Sequence, residues 1–76
     1  MKTDAEWQAE VKGILRAEMT RRGITYDQLA AMLAEIGVKV DPHVLRNKVA
    51  RGGFSAVFFV QCLRAIGGRS IQLDTS

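Results

Sequence analysis

Apolar residues recur along this chain at helical spacing, and glycines mark where each run stops. With successive residues turning by about 100°, Trp7, Val11, Ile14 and Leu15 fall on one stripe. That pattern predicts a first helix from Asp4 to Arg22. Gly23 follows Arg21 and Arg22, whose charges complement the negative end of a helix. Gly13 lies on the outer face and weakens the helix by about 1 kcal/mol relative to alanine without breaking the pattern.

A second helix opens at Thr25-Tyr26-Asp27-Gln28, a capping box, with Ile24 placed to staple onto its first turns. Its expected buried stripe is Tyr26, Leu29, Met32, Leu33 and Ile36, with Ala30 beside it and Gly37 as the stop. The β-branched alternation of Val38-Lys39-Val40 predicts extended chain. Asp41-Pro42 then restarts a helix, with aspartate as N-cap and proline in the first turn. This third helix runs to Arg51 and stops at Gly52-Gly53. Ser55 caps a fourth helix, whose stripe is Phe58, Phe59, Cys62, Leu63 and Ile66. Residues 70–74 alternate apolar and polar, which predicts a short strand pairing with residues 38–40 or with a second copy. The expected fold is all-α: four helices with a short C-terminal extended segment, in a single domain.

Composition narrows the class. Seventy-six residues make one small domain, and a 47% apolar content is that of a globular chain. The net charge of +3 is modest, so the placement of charge says more than its sum. Cys62 is the one cysteine, which excludes a disulfide framework and any cysteine-based metal site. Residues 1–10 are polar and carry Asp4, Glu6 and Glu10, unlike a signal peptide, and no run is long enough to span a membrane. A cytoplasmic location is expected.

The third helix carries the informative chemistry. Leu45 and Val49 form its inward line, with Gly52 continuing it. Opposite lie His43, Arg46, Asn47, Ala50 and Arg51, at i, i+3, i+4, i+7 and i+8, which make one outward stripe. Arginine can give paired donors to guanine or bind phosphate, and asparagine can pair bidentately with adenine. Ala50 allows close approach, and His43 stands near the helix start. No acidic residue lies between Pro42 and Leu73, as proximity to phosphates requires. The same stripe can also be a solvated face or a protein-binding one.

Other residues invite other readings. Glu18 falls within the apolar stripe of the first helix, where a buried carboxylate needs a partner. Lys48 is the expected partner, with Arg22 or Arg51 as the alternative. His43 has no second ligand at metal-binding spacing, so no metal is expected. Cys62 reads as a small core hydrophobe. No nucleophile, base and oxyanion donor can be assembled, so no catalytic residues and no cofactor are expected.

The segments RRGITYDQLA, VLRNKVARG and FFVQCLRAIG occur in the order seen in phage-repressor (Cro/repressor-like) helix-turn-helix domains, which this chain resembles over residues 11–67. It also resembles a small bacterial family of uncharacterised domains with that arrangement. The resemblance implies double-stranded DNA binding, as a small transcriptional regulator. By it, Thr25 and Gln28 would sit near a phosphate at the start of the supporting helix. Ala30 would be the small residue where the helices pack, Arg46 and Asn47 would read bases, and Arg51 would meet the backbone. Separately from the resemblance, the charges of Lys39, Arg46 and Arg51 are expected to neutralise phosphates.

Lys12, Arg16, Arg21, Arg22, Arg64 and Arg69 would widen the basic surface. Repressor-like domains commonly bind as two-fold pairs, and Phe54, Val57 and Val60 form the expected homodimer patch. The sequence departs from the pattern at Gly37, about one turn later than the usual turn glycine, and in the longer connection over residues 38–41. The other reading is a protein-interaction module on the same scaffold, with no direct role at DNA.

Overall fold

The computed structural model describes residues 1–68 together with Ser70, Ile71 and Leu73. Four helices follow one another: α1 (Asp4–Arg22), α2 (Tyr26–Glu35), α3 (Pro42–Arg51) and α4 (Ala56–Ala65). Each begins at a residue whose side chain satisfies a free backbone N–H, the local rule that places helix starts. Thr25 Oγ1 accepts from the Gln28 N–H at 3.2 Å, and Gln28 Oε1 accepts from the Thr25 N–H at 2.8 Å. Thr3 and Glu6 form the same reciprocal box at α1. The backbone and side-chain hydrogen bonds with Thr3 hold the Glu6 carboxyl below its ordinary range. Asp41 and Ser55 cap α3 and α4 by accepting from His43 and Phe58.

The helices stop where the chain turns. At the end of α2 the Gly37 N–H donates to Ala34 O and the Val38 N–H to Leu33 O, at 3.0 and 2.9 Å. That pair of bonds is the Schellman turn, and it requires the left-handed φ of 85° that Gly37 supplies. Residues 38–40 then carry the chain to Asp41, with Val38 and Val40 half-buried against the core and Lys39 exposed.

α1 and α2 each pack on both α3 and α4. The core between them is built from Leu15 and Met19 of α1, Leu29, Ala30 and Leu33 of α2, and Leu45 and Val49 of α3. Phe58, Cys62, Leu63 and Ile66 complete it from α4 and its end. Leu15, Leu29, Leu33, Leu45, Val49 and Cys62 are fully enclosed.

Three expectations about this core need correction. Trp7 is 52% exposed rather than buried. α1 has 19 residues against 10 in each of the others, so its first turns outrun the core. Ile36 is 45% exposed, because the helix ends at Glu35 and the Schellman turn carries Ile36 out of the buried stripe. No strand forms among the described residues. Ser70 and Ile71 lie beside α4 instead, sharing a cleft with Val60, Leu63 and Arg64, while Gln72 and Asp74 lie outside the described residues.

Gly52, buried at the end of α3, is where α3 meets α1. Its φ is 72°, and a Cβ there would stand 2.7 Å from the Gln8 carbonyl oxygen. Any larger residue meets both backbone strain and a main-chain wall. Gly13, by contrast, has open space around it in mid-helix. Gly52→Ala is expected to lower the unfolding free energy by about 2 kcal/mol or more. Gly13→Ala should raise it by about 1 kcal/mol. Urea denaturation of the two variants beside the wild type checks both signs.

Candidate functional site

Burial sorts the side chains of α3 cleanly. Leu45 and Val49 are fully buried and Gly52 is buried behind them, whereas His43, Arg46, Asn47, Ala50 and Arg51 are all exposed. The outward stripe therefore exists as a continuous surface. Gln28 and Lys39 are exposed as well, on α2 and on the connection that leads into α3.

The stripe is not uniform in its surroundings. Arg46 turns towards α2, where its guanidinium carbon lies 5.7 Å from the centre of the Tyr26 ring, within cation–π range. It lines a cavity of about 290 Å³ with Thr25 and Tyr26 on one side and Arg16 of α1 on the other. Asn47 and Arg51 lie on the other flank of the stripe. They line a groove of about 490 Å³ with Val44, Lys48, Gly53 and Phe54. His43 and Ala50 lie on the ridge, His43 directly above the capped start of the helix. The groove adds to this face Val44, which sequence reasoning passed over, and Lys48, which it assigned to Glu18 instead. Val44 is 54% exposed and stands one turn before Asn47 and Lys48, so the i, i+3, i+4 spacing was the signal available.

Several basic residues have duties within the fold. Lys12 Nζ donates to Ala50 O at 3.2 Å, satisfying a carbonyl at the C-terminal end of α3. Glu18 is buried as expected, and its partners are Arg21 and the expected alternative Arg22, both of its own helix. The Arg22 Nη2 lies 3.4 Å from its Oε1. The expected pairing with Lys48 is incorrect: the Lys48 ammonium sits 4.4 Å from the centre of the Phe58 ring. Glu18 is reached along one helix at i+3 and i+4, a shorter span for the side chains than crossing to α3. Arg16 and Arg64 are exposed with no ion pair among the described residues, and Arg69 lies outside them.

The other singled-out groups are quiet. His43 is exposed, and its backbone N–H donates to the Asp41 carboxylate at 2.8 Å. Cys62 is enclosed in the core, and burial pushes its thiol up to about 11, with the Lys48 charge pulling weakly the other way. At neutral pH it is a protonated small hydrophobe. Phe54 is half-buried, its ring 5.8 Å from Phe58 and 6.0 Å from Phe59, so most of it closes the end of the core. Val57 and Val60 of α4 are 68% and 53% exposed.

The family model described as Domain of unknown function (DUF6471) matches residues 7–71. The chain belongs to that family. The match reaches all four helices, including the exposed stripe of α3 and both of the cavities that flank it. No curated protein and no solved structure matches the chain.

The ion-pair geometry carries its own expectation. Arg22→Met should cost about 1 kcal/mol, because a buried carboxylate loses one of its cations while Arg21 remains. Lys48→Met should stay within about 0.5 kcal/mol of the wild type, since its stem keeps the contact with Phe58. Thermal melts of the two variants compare them directly, and a larger loss for Lys48→Met would restore the cross-helix pairing.

Proposed function

We propose that this domain binds double-stranded DNA as a helix-turn-helix, α2 supporting and α3 entering the major groove. The observation that carries this reading is the exposed, carboxylate-free stripe of His43, Arg46, Asn47, Ala50 and Arg51, set on a helix whose inward side is fully packed. Rigid placement matters because bidentate base contacts tolerate little misalignment. Arg46 and Asn47 read base edges, Ala50 leaves room for close approach, and Arg51 and Lys39 bind phosphates. Gln28 sits near a phosphate at the start of α2, its carbonyl oxygen already used in the cap and its amide NH₂ left to donate. The protein acts by binding rather than catalysis, needs no cofactor, works in the cytoplasm, and serves as a small bacterial or phage transcriptional regulator.

Two copies acting as a pair would read half-sites about one DNA turn apart. Val57 and Val60 supply an exposed apolar strip on α4 for that contact, and Phe54, expected in the same patch, is half-buried. Sedimentation across a concentration series should show a dimer that Val57→Glu/Val60→Glu converts to monomer. A monomer at every concentration would remove the pairing from this proposal.

Selection from a pool of random duplex DNA at two salt concentrations tests the main reading. Wild type should enrich a motif, and binding should weaken steeply with salt, by a log–log slope of about 0.9 per phosphate contacted. Arg46→Ala/Asn47→Ala should lose at least tenfold in affinity for the motif, since each bidentate contact is worth about 1–3 kcal/mol. Unselective binding that the double variant retains would mean that the protein coats the backbone instead. No binding at low salt would reject the DNA reading and favour a protein-interaction module on the same face.

A further inference from the structure

Arginines in this domain are treated in two ways. Arg21 and Arg22 are committed to the Glu18 carboxylate. Arg16 of α1 and Arg46 of α3 make no ion pair among the described residues, yet both line the one cavity of about 290 Å³ where α1, α2 and α3 meet. No carboxylate lines that cavity. Two arginines without a counter-charge on one shared space favour a doubly charged anion there.

The rest of the lining narrows the ligand. The hydroxyls of Thr20 and Tyr26 add donors beyond the two guanidiniums, which suits the three oxygens of a phosphate monoester better than the two of a carboxylate. Met19 and Ile24 are apolar and partly or fully buried, and the Tyr26 ring forms a flat wall. The volume lies at the lower end of small-molecule sites, about 300–1,000 Å³. It suits one phosphorylated ring and not a dinucleotide.

We infer that this cavity binds a small aromatic phosphate monoester between Arg16 and Arg46, and that the bound ligand competes with duplex DNA for Arg46. Arg46 has one guanidinium. Drawn onto a phosphate beside Tyr26, it is withdrawn from the groove-facing surface, and by linkage DNA must weaken the ligand as much as the ligand weakens DNA. The competition rests on the DNA-binding reading above, whereas the ligand site stands independently of it.

Phenyl phosphate is the probe. In a titration followed by amide NMR of the whole chain, it should saturate at one per chain, with shifts confined to residues 16–26 and the neighbourhood of Arg46. Arg16→Ala should weaken it about tenfold or more, as loss of a charge-assisted contact does. Arg64→Ala, an exposed arginine away from the cavity, should leave it unchanged. If Arg16→Ala unfolds, Arg16→Gln serves in its place.

Unsaturable shifts, or equal weakening by Arg64→Ala, would overturn the site as diffuse charge attraction. Inorganic phosphate should shift the same residues more weakly, and equal affinity would overturn the role of the apolar wall. A DNA-binding assay at matched ionic strength tests the coupling. Phenyl phosphate should lower the affinity of the wild type for duplex and spare that of Arg16→Ala. Saturable binding of the probe with unchanged DNA affinity would overturn the competition alone. Absence of DNA binding with a saturable titration would reject the DNA reading and leave the site intact.

Discussion

α3 is anchored in the core by two fully enclosed side chains and against α1 by a bare stretch of backbone, and the arrangement of every outward residue follows from that anchoring. Leu45 and Val49 are one helical turn apart and fully enclosed, which fixes the rotation of the helix about its axis. Gly52 then brings the end of α3 against the Gln8 carbonyl of α1, closer than any side chain would permit. Lys12, from the same helix α1, reaches Ala50 O just before that contact. Rotation is set by the two buried residues and position along the axis by the glycine. With both fixed, the remaining positions of α3 have no freedom to choose which way they face.

The unequal helix lengths shape the surface in a second way. α1 is nearly twice as long as its neighbours, and only its second half, around Leu15, Glu18 and Met19, faces the common core. Its first turns meet the end of α3 through the Gln8 backbone, outside the common core, and leave Trp7 in solvent. The buried Glu18 falls in the half that is covered, so its charge had to be answered locally. Arg21 and Arg22 do this within α1, which frees α3 from any electrostatic tie to that carboxylate. Lys48 is left to lie over Phe58, its charge at the groove that Asn47 and Arg51 also line.

Much of the fold was legible because helix boundaries are local chemistry. Thr25 with Gln28, Asp41 with Pro42, and Ser55 each announce a helix start through groups at most three residues apart, and all three starts are where they were expected. The inward line of α3 was equally readable, since Leu45 and Val49 are the only two large apolar residues at i, i+4 before Gly52. Trp7 and Ile36 were misread for the opposite reason. Their periodicity is correct, but whether a position on an apolar stripe is covered depends on where the neighbouring helices end. For Glu18 the preferred partner Lys48 was wrong and the alternative Arg22 right, because charge sign restricts the candidates and only geometry selects among them.

The sequence by itself determined where the four helices lie, which side of α3 turns inward, and that its outward side carries no carboxylate. These follow from spacing and from hydrogen bonds within a few residues of chain. Tertiary structure alone decided that Arg46 leans on Tyr26 towards α1, while Asn47 and Arg51 open onto a separate groove with Val44 and Lys48. One helical stripe thus borders two different cavities. That division depends on which helices flank α3 and how near they come, and both depend on contacts between residues far apart in the chain, which no local pattern encodes.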